Sequence, residues 1–98
     1  MVFDIHQIED LKFIKSEKKD KHGGECYQTP DSKVFLVIHK NTIEVRTDPK
    51  LRNLLCEKYE SVMTSRHFGI GGIEIVLNTQ LSNEDIIDLI KLSYRLSN

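Results

Sequence analysis

The residues of this chain whose types could do chemistry are four histidines, two cysteines, and a set of arginines and lysines interleaved with acids. His67, directly after Arg66, is of the residue type most used for general-base work, but no nucleophile or orienting carboxylate stands near it in sequence. A surface or half-buried histidine is the expected role. His22 and Cys26 lie four apart and, with Cys56 and His67, are donors of the kind zinc takes, yet no paired spacing supports a site. No metal and no cofactor is therefore expected. Cys56 falls within a helical pattern beside an apolar stripe, the setting of a small core residue rather than a reactive thiol. Gly69-Ile70-Gly71-Gly72 is neither a Gly-x-Gly-x-x-Gly nor a P-loop, and no helical pattern follows it, so it reads as a turn or a kinked strand start. With no acid–base pair in view, a non-catalytic protein is expected; a polar cleft joining His67 and Tyr27 would reopen that reading.

The cations point to a different class of function. Arg46, Lys50, Arg52, Arg66 and His67 are the candidate phosphate-contacting residues, with Lys33, Lys40 and Lys58 nearby. Glu44, Glu57, Glu60 and Glu74 are interleaved with them, so a solvated mixed-charge face competes with a nucleic-acid surface. A net charge of −1 and a pI near 6.4 exclude strong general attraction to DNA or to an anionic membrane. Any DNA binding must be weak, local and salt-dependent. A second class, a protein-interaction or homo-oligomeric module, is suggested by Leu89, Leu92 and Leu96, which lie partly off the apolar stripe of the last helical segment.

These residues need a scaffold, and 98 residues at 39% hydrophobic and 30% charged describe one globular domain, 1–98. The longest apolar run, the five residues 34–38, is far short of the ~20 needed to cross a bilayer. MVFDIHQIED has no basic flank or apolar core of a secretory signal, so a cytoplasmic setting is expected. Cys26, in a loop-like stretch, and Cys56 are expected as free thiols.

The central feature is KVFLVIHKNTIEVRTD, residues 33–48. Val34 to Ile38 predict a strand buried on most of both faces. Residues 42–46 alternate, predicting an antiparallel partner with Ile43 and Val45 inward and Thr42, Glu44 and Arg46 on a wet face. Ile5, Ile8, Leu11 and Ile14 predict a short helix over 4–15, with a strand from Leu11 as the alternative, followed by a charged loop over 15–21 and a short edge strand at 25–28. Asp48-Pro49 predicts a helix start, with Leu51, Leu54, Leu55, Tyr59 and Val62 as its stripe. Residues 61–68 read as extended chain, 73–77 as a strand paired to it, and Ser82 with Asp85 as the cap of a last helix whose core stripe is Ile86, Ile87, Ile90 and Tyr94. The sum is an α+β two-layer sandwich, an antiparallel sheet of about four to five strands with helices 49–59 and 83–96 on one face.

From Lys33 to Leu96, the strand pair leading into Asp48-Pro49, the step His67-Phe68-Gly69, and the ending Glu84-Asp85, Leu89-Ile90, Ser93-Tyr94-Arg95-Leu96 resemble the MmcQ/YjbR family. The family's Lys-x-His-Trp run falls on Ile70 to Gly72, where glycines stand instead, and the chain has no Trp. The resemblance implies a frataxin-like, secretion-chaperone-like fold and DNA binding through a double-winged surface.

Overall fold

The computed structural model describes residues 5–8 and 11–97. After a 3-10 turn at Ile5–Gln7 come strands β1 (Ile14–Lys19), β2 (Glu25–Gln28), β3 (Val34–Ile38) and β4 (Thr42–Arg46), helix α1 (Pro49–Lys58), strands β5 (Val62–Ser65) and β6 (Gly69–Val76), and helix α2 (Asn83–Ser97). The strands make one six-stranded sheet in the order β1-β2-β3-β4-β6-β5, antiparallel throughout. Helix α2 lies on β3 and β4, and α1 on β5 and β6. The core between the layers gathers Leu36, Ile43, Val45, Ile73 and Ile75 from the sheet with Ile86 and Ile90 from α2.

Local chemistry explains the element ends. Asp48 accepts the Leu51 amide at 2.9 Å and Pro49 needs no partner for an amide it lacks, so α1 begins there. Ser82 accepts the Asp85 amide at 3.1 Å and starts α2. The β1–β2 turn is built on Asp20, whose Oδ1 accepts the amides of His22 and Gly24, both at 2.9 Å, while Gly23 takes φ +85°. Ser93 and Tyr94 tie α2 to the sheet. The buried Ser93 hydroxyl donates to the Phe35 carbonyl at 2.6 Å and accepts the Arg46 amide at 2.8 Å, joining β3 to β4. Tyr94 stacks edge-on against Phe35 at 5.0 Å and its hydroxyl donates to the Lys12 carbonyl. Ser93 and Tyr94 thus lock α2 to the sheet.

Several expectations are corrected. The helix over 4–15 is only the 3-10 turn at Ile5–Gln7, with Ile14 already in β1; Asp4, Glu9 and Asp10 lie outside the described residues. Ile5 and Ile8 reach the core without a helix, so their spacing reported burial and not periodicity. The charged loop is strand β1, whose exposed side chains are tolerated at a sheet edge; β2 is internal. Cys26 is buried in β2 rather than loop-like. The sheet has six strands rather than four or five. On α1, no residue is fully buried and Leu54 is 60% exposed, so its stripe is narrower than expected, carried by Leu55, Cys56 and Tyr59 against the core. The largest departure is Glu44, expected on a wet face and fully buried instead.

Candidate functional site

The sheet face turned away from the helices carries the polar centre of the molecule. Side chains alternate along a strand, so with Ile43 and Val45 in the core Glu44 points the other way. Its direct cross-strand partner on β6 is Glu74. Two adjacent carboxylates, 0% and 4% exposed, require donors, and the β3–β4 and β5–β6 turns, with Thr42 of β4 and Ser65 of β5, supply them. Glu44 Oε1 accepts the Ser65 hydroxyl and the His67 amide, both at 2.8 Å. Glu44 Oε2 lies 2.6 Å from His39 Nε2. Glu74 is held by Arg66, whose Nε and a terminal nitrogen each sit 2.9 Å from one of its oxygens, and by the Thr42 hydroxyl at 2.7 Å. The fork-to-fork geometry makes this a strong, directional pair.

A third acid closes the cluster. Asp20 Oδ2 is 3.4 Å from His67 Nδ1, and the Asp20 side chain is 1% exposed. Burial pushes the Asp20 carboxyl up, but the Gly24 and His22 amides, His67 and the charge near His39 outweigh it and hold it below the usual range. For Glu44 burial again pushes up, and His39, the His67 amide and the Ser65 hydroxyl win, so it too is lowered. Both acids are thus ionised inside the fold. The Cys26 thiol is pushed up by burial and by the charges of Asp20 and Glu44, which keeps it protonated. The Arg66 guanidinium is driven further up by its bond to Glu74.

The β1–β2 turn comes so close that a Cβ on Gly24 would lie 2.5 Å from Val37 Cγ1 and 2.6 Å from His39 Cε1. Gly72 does the same for the β5–β6 turn, since a Cβ there would meet the Val45 carbonyl at 2.5 Å and the Phe68 Cβ at 2.7 Å. Gly72 therefore allows Phe68 to lie on the sheet.

The five residues singled out as phosphate contacts fall into two groups. Arg66 and His67 face buried acids, as described. Arg46 lies over the Phe68 ring at 4.7 Å and its Nε donates to the Val34 carbonyl at 2.9 Å. Arg52, on α1, donates to Asn53 and to Thr64 of β5. Neither Arg46 nor Arg52 has a carboxylate partner among the described residues. Lys50 is exposed in the first turn of α1. Four of the five thus touch or belong to residues 64–68, at the edge strand β5 and its turn, where Ile70 is 74% exposed. His67 and Tyr27 do not form a shared cleft: Tyr27 packs with Phe13 in the core, while His67 turns to Asp20. His39, Glu44, Glu74 and Asp20 were missed by sequence reasoning. The one available signal was two acids within the strand-like runs 42–46 and 73–77, where a buried partner must exist if both faces are covered.

On the helical side, a shallow groove of about 220 Å³ between α1 and α2 is lined by Leu55, Tyr59, Leu81 and Leu89 and rimmed by Asp85 and Asp88. Leu89 is half-buried against the core, and Leu96 is 47% exposed. No helix among the described residues is long and apolar enough to cross a membrane.

No protein-family profile matches the chain, and neither does any curated protein. Among solved structures, it is similar to a structural-genomics crystal structure of a protein from Pseudomonas syringae, at 16% identity and a TM-score of 0.77 over 98% of this chain and 100% of that one. At that identity the likeness is one of fold.

Proposed function

We propose that this protein is a small, non-catalytic module of MmcQ/YjbR-like type that binds nucleic acid weakly through the β5–β6 end of its sheet. The observation that carries this reading is that Arg46 and Arg52, neither with a carboxylate partner among the described residues, each contact residues 64–68, Arg46 at Phe68 from the open sheet face and Arg52 at Thr64 from α1, on the two sides of the sheet end. Their guanidiniums are steadied by carbonyl, hydroxyl and aromatic groups that leave the positive charge uncompensated, so a phosphate meets an ordered cation. Ile70, exposed at the start of β6, offers apolar surface beside the charges, as a wing laid along a groove would. Arg66 contributes less, because Glu74 already neutralises it. The two free thiols suit the reducing cytoplasm as the setting. The test is a titration with labelled duplex at low salt: Arg46→Ala combined with Arg52→Ala abolishes binding, while Arg66→Ala, if folded, weakens it only slightly. Binding that survives the double substitution removes the reading.

A second reading, docking of a protein partner, is favoured by the α1–α2 groove, whose apolar floor and acidic rim suit a helix with apolar residues flanked by basic ones. Leu96, two turns beyond Leu89 on α2, is a further exposed apolar side chain. Light scattering separates this from self-association: a monomer at high concentration excludes a second copy as the occupant.

A further inference from the structure

We infer that Asp20, His39 and Glu44, with His67 beside them, form a binding site for a divalent first-row transition-metal ion. One oxygen of each of Asp20 and Glu44 and one nitrogen of His39 all lie within 4.8 Å of one another. This places two carboxylate oxygens and an imidazole nitrogen around one small volume, the mixed oxygen–nitrogen set that Mn²⁺, Fe²⁺ and Zn²⁺ accept.

Two independent observations make this more than a group of acids. The first is an orphan. Asp20 Oδ2 is buried and has no hydrogen-bond partner, with His67 Nδ1 at 3.4 Å off hydrogen-bond geometry. The second is orientation. In both carboxylates the other oxygen is already fixed by two donors, Asp20 Oδ1 by the His22 and Gly24 amides and Glu44 Oε1 by Ser65 and the His67 amide. The remaining oxygens are Asp20 Oδ2, which makes no hydrogen bond, and Glu44 Oε2, whose neighbour is the third ligand atom, His39 Nε2, at 2.6 Å, with Arg66 3.5 Å from that nitrogen; fixing one oxygen and presenting the other is how a supporting shell sets metal ligands. Gly24 closes on His39 and holds the ring in place.

The fixed charges around this position are three carboxylates, Asp20, Glu44 and Glu74, against the guanidinium of Arg66, a surplus of negative charge that suits a cation. The groups facing the site are Asp20 from the β1–β2 turn, Cys26 from β2, His39, Glu44 from β4, Glu74 from β6, and Arg66 and His67 from the β5–β6 turn. This site is independent of the nucleic-acid reading, and either can fail alone.

The probes are MnCl₂, followed by electron paramagnetic resonance, and ZnCl₂, followed by calorimetry. The expected result is one equivalent bound, and an affinity at least tenfold weaker in Asp20→Asn, which keeps an oxygen for the turn amides. His39→Gln must show the same loss, and it decides the matter if Asp20→Asn does not fold by circular dichroism. No binding of either ion, or binding by both folded variants at wild-type affinity, which marks adventitious surface coordination, overturns the proposal.

Discussion

Glu44→Ala removes the acceptor for three donors at once: His39 Nε2, the Ser65 hydroxyl and the His67 amide. The position is fully buried, so water does not replace the carboxylate at no cost. Each buried donor left unmade costs about 1–3 kcal/mol. Relief of the repulsion from Glu74 and Asp20 returns part of that, and a net loss of about 3–5 kcal/mol is expected, in the range for breaking a buried ion pair. At ~4–8 °C per kcal/mol for a domain this small, the melting temperature falls by more than about 12 °C. Glu44→Gln keeps an oxygen for Ser65 and His67 and loses only the charged bond to His39, so about 1–2 kcal/mol is expected. Urea denaturation followed by far-ultraviolet circular dichroism reads both. A Glu44→Ala variant within about 1 kcal/mol of wild type, or a Glu44→Gln variant as damaged as Glu44→Ala, refutes the assignment of this residue as the anchor of the β3–β4 and β5–β6 turns.

Ser93→Ala leaves the Arg46 amide and the Phe35 carbonyl without their common partner and is expected to cost about 1–3 kcal/mol, read by the same denaturation; an unchanged midpoint contradicts it. The lowered carboxyls of Asp20 and Glu44 stabilise the fold in full above their unfolded values of about 3.9 and 4.3 and lose that contribution as pH falls through the still lower folded values. Stability is therefore expected to drop below about pH 4, and less steeply in Glu44→Gln. Ile90→Ala, at a fully buried site, is expected to cost about 2–5 kcal/mol. Leu55→Ala, half-buried on a helix with no fully buried residue, is expected to cost only about 1 kcal/mol; equal losses would mean that α1 is seated more deeply.

The elements whose signals are local were legible in the sequence: the 34–46 hairpin, the Asp48-Pro49 start of α1 and the Ser82 cap of α2 are each decided by neighbours a few residues apart. Strand β1 was not, because its pattern of lysines and acids is that of any solvated segment, and only its pairing with β2 makes it a strand. The buried network was hidden for a related reason. Glu44 in an alternating strand reads as solvent-facing until it is known that two turns, centred on Asp20 and on Ser65 to Phe68, cover that face, a long-range fact that period-2 alternation does not contain. Arg66 and His67 drew notice as free cations, and their acid partners lie 8 and 47 residues away in sequence.

The most direct test of the nucleic-acid proposal is the salt dependence of duplex binding, measured by fluorescence anisotropy. Two or three phosphates neutralised by so nearly neutral a domain give a slope of log K against log salt of about −2 to −3. Arg46→Ala and Arg52→Ala are each expected to shrink that slope by about one unit. A slope unchanged in both variants, or no binding at low salt, would contradict it.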